Sequence, residues 1–388
     1  MCFYKTKEDC TVMLREKNKG ITLVALVVTI VILLILAGIS ISTLTNTGIF
    51  QKARDAKKAS ENAEKEQKQT LSEYERELNK YTAQDLTDDK INKVLSETEN
   101  IVLKDANGNI LTLPAGFKVV VNDDTGNAKT VDKGIVIEDA TDAATKGSQF
   151  VWVPVGNIKK DDGTTVEINL DRYTFDEDGI AKAYNESVVD TYYSETEGKE
   201  NTVAKSISDF KLSVTTNGGY YIGRYEARTI KPRSDKGDTL AQITEKGTDK
   251  VYNFVTQIQA ASQAKNMYNS SNCTSDLMNS YAWDTAILFL QNCGTNKKYS
   301  RQKGLSASAL QTGTNTLTEI NRIDKQCNVY DMAGNLREWT TETSDVSANP
   351  CVVRGGNYCD NDFYTGYRDY GSISVSNINI GFRPILYL

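Results

Sequence analysis

The sequence predicts an α+β protein: one long N-terminal helix, then a small β module, then a larger mixed head. Three observations lead there. No residue from Gly20 to Gln51 is charged. Residues 49–82 contain neither Pro nor Gly and are rich in Glu and Lys. From about residue 98 the helical period gives way to short β-rich runs separated by Gly, Asn and Asp turns.

The uncharged stretch is long enough to span a bilayer as a helix, for which about 20 apolar residues suffice. A cleaved secretory signal would have a shorter apolar core of about 7–15 residues and a small-residue cleavage site beyond it. Here the pattern simply continues. Ala53, Ala56 and Ala63, then Leu71, Tyr74, Leu78 and Tyr81, recur within each group at steps of three, four or seven, which is the stripe of an amphipathic helix. Its Glu and Lys residues supply i,i+4 pairs.

Residues 83–97 read as a polar linker ending in a short helix. Next, Asn107-Gly108 separates "IVLK" from "ILTL" and predicts a β-hairpin, and "GIVIED" adds a strand. These elements make up the β module, residues 98–148. Asp105, Asn107 and Asn109 have the alternation of a calcium loop, but no glutamate follows at the required spacing, so they read as turn residues. In the head, residues 149–388, the stretch 156–217 is polar and acidic and reads as a surface insertion with little core. Asp176, Asp178 and Gly179 within it read as a turn.

Composition limits the chemistry. At 388 residues there is room for about two or three domains. The net charge of −6 excludes nucleic acid as a partner, since phosphate binding rests on clustered Lys and Arg. The absence of histidine excludes His-based triads, His general bases and His-bearing zinc sites. The seven cysteines, Cys2, Cys10, Cys273, Cys293, Cys327, Cys351 and Cys359, contain no CxxC pair.

At the N-terminus, "KNKG" followed by "ITLVALVVTIVILLILAG" resembles the class III leader of type IV pilins and pseudopilins. The resemblance covers about residues 1–82 and implies a leader of residues 1–20, cut after Gly20, with Ile21 becoming the methylated mature terminus. Residues 21–82 are then the transmembrane and stalk helix. Thr22 and Leu23 fit that pattern. Ala25 stands where the family generally has the glutamate that pairs with a neighbour's terminus, which points to a minor or pilin-like subunit rather than a self-assembling major one. The implied partners are the membrane and other pilin-like subunits.

In the head, "FVWVPV" (150–155), "GGYYIGRYEA" (218–227), "NVYDMAGNLREWT" (328–340), "VVRGGNY" (352–358) and "GFRP" (381–384) together resemble the formylglycine-generating-enzyme, or sulfatase-modifying factor, family, a variant of the C-type lectin fold. Between these pieces, "VTQIQAASQAKNMY" and "SYAWDTAILFLQ" read as two helices, the second carrying Trp283 where the family has a tryptophan. Read from the residues, Trp339 is a buried anchor beside a tight Gly334-Asn335 turn, and the glycines after Arg354 permit close backbone approach. "GFRPIL" is a closing strand with Phe382 inward and Pro384 at a strand end or edge.

The resemblance implies a copper-binding cysteine pair just after RGG. Cys359 lies near the first position, but Tyr364 stands at the second and Cys351 is on the wrong side of the motif. One thiolate is not such a site. It also implies a Ca2+ site at Asp331, Gly334, Leu336 and Glu338, where two carboxylates and main-chain carbonyls suit a hard cation. The alternative is that Asp331 caps a turn and Glu338 pairs with Arg337 or Arg368.

The segment 357–379 is crowded with Asn, Tyr, Asp and Ser, including Asn357, Tyr358, Asp360, Asn361, Tyr364, Tyr367 and Tyr370. That mixture suits recognition, since Tyr gives rigid contact area and small polar residues give adaptable hydrogen bonds. It is similar to the variable, ligand-binding segment of retroelement-diversified C-type-lectin-fold proteins; a plain polar loop is the alternative. The sequence therefore predicts a single-pass, cell-surface, pilin-like protein whose extracellular head binds a glycan or protein ligand. A surface formylglycine-type oxidase and a purely structural minor pilin are the alternatives.

Overall fold

The computed structural model describes residues 29–35, 49–141, 144–184, 207–247, 249–304, 324–344, 348–358 and 362–388. The chain divides into two compact units, 1–67 and 68–388. In the first, residues 29–35 are helical and exposed. Gly20, Ile21 and most of the expected membrane span lie outside the described residues, and among those described no helix is long and apolar enough to cross a membrane.

Helix α1 (Ile49–Thr82) ends where the sequence pattern ends. Its surface pairs, such as Lys57–Glu61 at 3.6 Å, are exposed and contribute little. Within the second unit, the last turns of α1 face the head through Ser72, Arg76 and Asn79. The Ser72 hydroxyl accepts from Thr216 Oγ1 at 2.8 Å, and Arg76 Nη2 donates to the Val155 carbonyl at 2.7 Å. The apolar stripe of Leu71, Tyr74, Leu78 and Tyr81 remains exposed.

The linker reading of 83–97 is corrected at its end, where no helix forms. Strand β1 (Gln84–Asp85) pairs in parallel with β2 (Ile101–Lys104), and Val94 bridges to Lys118. Asn92 adopts φ 60°, its amide donates to the Val119 carbonyl at 2.8 Å, and its carboxamide exchanges two 3.1 Å hydrogen bonds with the Val121 backbone. These long-range bonds outweigh the local helical preference.

Strands β2 and β3 (Ile110–Leu113) form the predicted hairpin, with Gly108 at φ 87°. The Asp105 carboxylate accepts from the amides of Asn107, Asn109 and Val131 at 2.8–2.9 Å, so it serves the turn. The expected boundary between module and head at residue 148 does not hold. Strands β4 (Phe117–Val120) and β5 (Val136–Asp139) join β6 (Gln149–Pro154) in one sheet. Val136 and Ile137 sit opposite Val151 and Phe150, so the apolar faces of both segments fill one core.

Nor is 156–217 peripheral. Strands β7 (Gly156–Lys159) and β8 (Thr165–Ile168) form a hairpin, followed by β9 (Tyr173–Phe175), β10 (Ala181–Ala183) and helix α2 (Ile207–Asn217). Ile158, Ile168, Phe175, Phe210 and Val214 are all buried in the core. These apolar residues are widely spaced among polar ones, which is why composition hides them. The turn at Asp176 is as expected: its carboxylate accepts from the amides of Asp178 and Ile180, with Gly179 at φ 79°.

Strand β11 (Gly219–Gly223) lies between β6 and the C-terminal strand, and every residue of it is buried. Strands β12 (Arg228–Thr229) and β13 (Lys250–Val251) pair with each other. Both predicted helices form. Helix α3 (Gln257–Met267) opens with a capping box between Thr256 and Gln259, and α4 (Ser280–Cys293) is capped by the Asn279 side chain on the Ala282 amide at 2.9 Å. Strand β14 (Thr274–Leu277) precedes α4 and takes the sheet edge beside the C-terminal strand.

After β15 (Lys325–Gln326) and β16 (Val329–Tyr330) come β17 (Arg337–Thr343), β18 (Cys351–Arg354), β19 (Arg368–Gly371), β20 (Ile380–Phe382) and β21 (Pro384–Tyr387). The six-stranded antiparallel sheet runs β14-β21-β11-β6-β5-β4, and a second sheet runs β19-β18-β17-β20. Pro384 opens β21, where its missing N–H is tolerated.

Candidate functional site

The motif segments meet around β17. Glu338 lies opposite Arg354 of β18 and Gly381 of β20, and Trp339 opposite Val353 and Phe382. Trp339 is fully buried, its indole donating to the Val255 carbonyl at 2.8 Å. Behind it, Gly355 sits at φ 79°, and a Cβ at Gly356 would lie 2.1 Å from the Ala333 carbonyl oxygen. The 332–333 backbone therefore lies directly on the two glycines after Arg354.

Two buried charge networks hold this region. In the first, Arg383 Nη2 and Nε reach Glu338 at 2.7 and 3.2 Å, and Arg383 also donates to the carbonyls of Gly223 and Tyr330. The proposed pairing of Glu338 with Arg337 or Arg368 is thereby replaced: Arg337 pairs with Asp369, and Arg368 with Asp284 and Glu342. Glu226 accepts from Asn335 Nδ2 and from the Leu336 amide, and Asp324 from the Tyr299 hydroxyl and the Ala333 amide.

Asp331 differs from its neighbours. It sits at φ 58°, fully buried, and neither carboxylate oxygen has a hydrogen-bond partner. Desolvation, and then the Glu226 and Asp324 charges, push its pKa well above the ordinary carboxylate range. Desolvation and then Glu338 push Glu226 up to about 8. Asn335 Oδ1 is likewise buried without a partner. Asp331 and Asn335 thus carry unused oxygens on the 331–338 turn, the donor type that a hard cation takes. Glu338 is already engaged by Arg383. Among the described residues no three acidic or thiol side chains are grouped to hold a metal.

In the second network Arg354 donates to Glu342 at 3.0 Å, to Asp284 at 2.6 Å and to the Tyr367 carbonyl at 3.0 Å, while Arg368 reaches the other oxygens of the same two acids. The closed set satisfies four buried or nearly buried charges and fixes the backbone of the Tyr-rich segment from beneath.

Of that segment, Asn357 is buried, Tyr358, Tyr364 and Tyr367 are half-buried and Tyr370 is exposed. Cys359, Asp360 and Asn361 lie outside the described residues. Tyr367 meets Phe363 and Tyr364 with ring centroids 4.9 and 5.3 Å apart. Arg301, which no sequence pattern marks, lays its guanidinium 3.8 Å from the Tyr364 ring centroid. It closes a short 3₁₀ turn (Tyr299–Arg301) 63 residues upstream of Tyr364, and only the folded chain brings the two together.

The sequence matches the sulfatase-modifying factor enzyme 1-like domain family over residues 138–387, more than half of the chain. The chain belongs to this family. The sulfatase-modifying factor domain so defined opens inside β5, in keeping with the sheet that crosses residue 148. Two solved structures are similar: Treponema denticola variable protein 1, 13% identical over 63% of this chain and 98% of that one, with a TM-score of 0.30, and CarF, 17% identical over 35% and 67%, with a TM-score of 0.27. A comparison with curated proteins found no match.

This sulfatase-modifying factor domain departs from the redox site that its resemblance implied. Tyr364, at the second cysteine position, is part of the aromatic cluster. Cys351 is buried in β18, and desolvation pushes its thiol up to about 12, far from an activated thiolate.

Proposed function

We propose that the protein is a membrane-held, pilin-like surface subunit whose sulfatase-modifying factor domain serves in binding, for adhesion or recognition, rather than in cysteine oxidation. The observation that carries the binding reading is Tyr364. It occupies the second redox-cysteine position, and its ring is fixed between Arg301 and Tyr367 on a backbone pinned by Arg354. A rigid aromatic cluster with polar edges is what a recognition surface requires. Tyr358, Tyr364, Tyr367 and Tyr370 are its contact residues.

The test is a glycan and protein ligand array probed with the detergent-solubilised full chain and with a Tyr364→Ala/Tyr367→Ala variant. Loss of a cognate signal by a variant that keeps its melting temperature supports the reading; equal binding ends it. The anchoring reading rests on the uncharged stretch from Gly20 to Gln51 and the leader pattern before it. Mass spectrometry of the mature terminus checks it, with a methylated Ile21 expected. We further propose that Asp331, with the carbonyls of Gly334 and Leu336 and a Glu338 shared with Arg383, holds Ca2+. Its role there would be to neutralise the buried carboxylates and stiffen the turn beneath Tyr358, whose amide donates to the Asn335 carbonyl at 2.9 Å.

A further inference from the structure

Two arginines stack on aromatic rings at the Tyr-rich face, and among the described residues only one of them is paired with a carboxylate. Arg337 lies over Phe363, 4.8 Å from the ring centroid, and is paired with Asp369. Arg301 lies closer to its ring, at 3.8 Å, and meets no carboxylate among the described residues. Stacking occupies the flat face of a guanidinium, whereas its N–H donors lie in the plane and stay available for a bidentate acceptor.

The site is held in place before any ligand arrives. The Thr365 and Gly366 amides donate to the Gln302 and Ser300 carbonyls at 3.0 and 2.8 Å, and Lys303 forms a β-bridge with Tyr364. Trp283 Nε1 anchors the Thr365 carbonyl at 3.0 Å. Loops 299–303 and 363–367 thus form one unit, with Arg301 and Tyr364 half-buried in it and the exposed Lys303 beside them. Fixing these groups in advance lowers the ordering cost of binding.

Resting on the binding reading above, we infer that Arg301 and the Tyr364 ring form a subsite for the carboxylate of an acidic sugar. The guanidinium edge takes the carboxylate, and the parts of the Tyr364, Tyr367 and Phe363 rings left uncovered by Arg301 and Arg337 take the C–H face of the pyranose, because ring faces are electron-rich. A run of acidic peptide fits less well. It brings contiguous negative charge to a chain of net charge −6, whereas a uronic-acid chain separates its carboxylates by whole sugar rings.

The experiment uses the full-length chain in detergent, with oligogalacturonate, its methyl-esterified form and poly-L-glutamate as probes in titration calorimetry. Wild type is expected to bind oligogalacturonate and to lose about tenfold or more on esterification. Arg301→Lys, which keeps the charge but not the planar fork, should also weaken binding about tenfold, and Lys303→Gln about twofold with a reduced salt dependence. An unchanged melting temperature shows that the variants fold. Equal binding of the esterified probe, no binding of the uronate by wild type, or full binding by Arg301→Lys each overturns the inference. Binding of poly-L-glutamate alone overturns the sugar assignment. A neutral ligand lost by Tyr364→Ala/Tyr367→Ala but not by Arg301→Lys sinks this inference and leaves the binding reading standing. Indifference of every array ligand to both variants sinks the reading beneath it.

Discussion

Arg383 closes on Glu338 through two contacts, 2.7 and 3.2 Å long, with both side chains buried. The pair ties the start of β21 to β17, and Arg383 adds bonds to the carbonyls of Gly223 and Tyr330, so one guanidinium joins three parts of the domain. Its pKa is set by opposing effects: burial, the largest single one, would lower it, but Glu338, Glu226 and Glu245 together outweigh that and raise it. Taking two charges out of water is costly, so such a pair specifies an arrangement more than it stabilises one.

Removing both partners should therefore harm the fold by less than the two single losses added together. Glu338→Gln or Arg383→Met alone is expected to cost about 3–5 kcal/mol in urea unfolding, because a buried charge is left uncompensated. The double variant should cost clearly less than the sum of the two. Additive losses would show that the two charges do not act as a unit.

The pH dependence follows from Glu226. Its folded pKa, about 8, lies above the ordinary value of about 4.3, so between those values the folded state holds a proton that the unfolded chain does not. The associated stability is fully present below about pH 4.3 and is lost as pH rises through about 8. The unfolding free energy from urea titrations should fall from pH 5 to pH 9, by on the order of a few kcal/mol in total. Glu226→Gln should flatten the slope without abolishing it, since burial raises Asp331 and Asp324 in the same direction. A slope identical to wild type would remove Glu226 from this account.

Much of the chain beyond residue 98 could be read from the sequence because its signals are local. The Asn107-Gly108 hairpin, the helices α3 and α4 and the burial of Trp339 all follow from spacing within a short window. What could not be read depends on distance in the chain. Val136 faces Val151 across a boundary that composition had suggested at 148. Arg337, Arg368 and Arg383 are equivalent in sequence as partners for Glu338, and only the parallel pairing of β20 with β17 selects Arg383. Asn92 at φ 60° ends a run that otherwise has helical character. Arg301 carries no local mark, because the ring it covers lies in another loop.

Calcium provides a test of Asp331. A cation there would favour the ionised carboxylate over the protonated one, so ion and proton compete for the same oxygens. Millimolar CaCl2 should raise the melting temperature, and by more at pH 8 than at pH 5. Asp331→Asn should abolish the gain, whereas Asp176→Asn, in a surface turn, should keep it. Differential scanning fluorimetry measures all four conditions. A gain equal at both pH values, or one that survives Asp331→Asn, would place the ion elsewhere.

The last turns of α1 belong to the head mechanically, and substitutions at the contact should reveal it. Arg76 is the chief link: it donates to the Val155 carbonyl and lies so near Gly156 that a Cβ there would come within 2.6 Å of Nη2. Gly156 also holds φ 113°, which L side chains rarely adopt, so it leaves room for both the bend and the guanidinium. Arg76→Ala should cost about 1–2 kcal/mol, since the bond is charge-assisted and partly buried. Gly156→Ala should cost at least as much, through backbone strain and displacement of Arg76. Leu71→Ser and Leu78→Ser, on the exposed stripe of the same helix, should leave the unfolding free energy within about 0.5 kcal/mol of wild type. Large losses from the leucine changes with none from Arg76→Ala would mean that the helix docks by its other face.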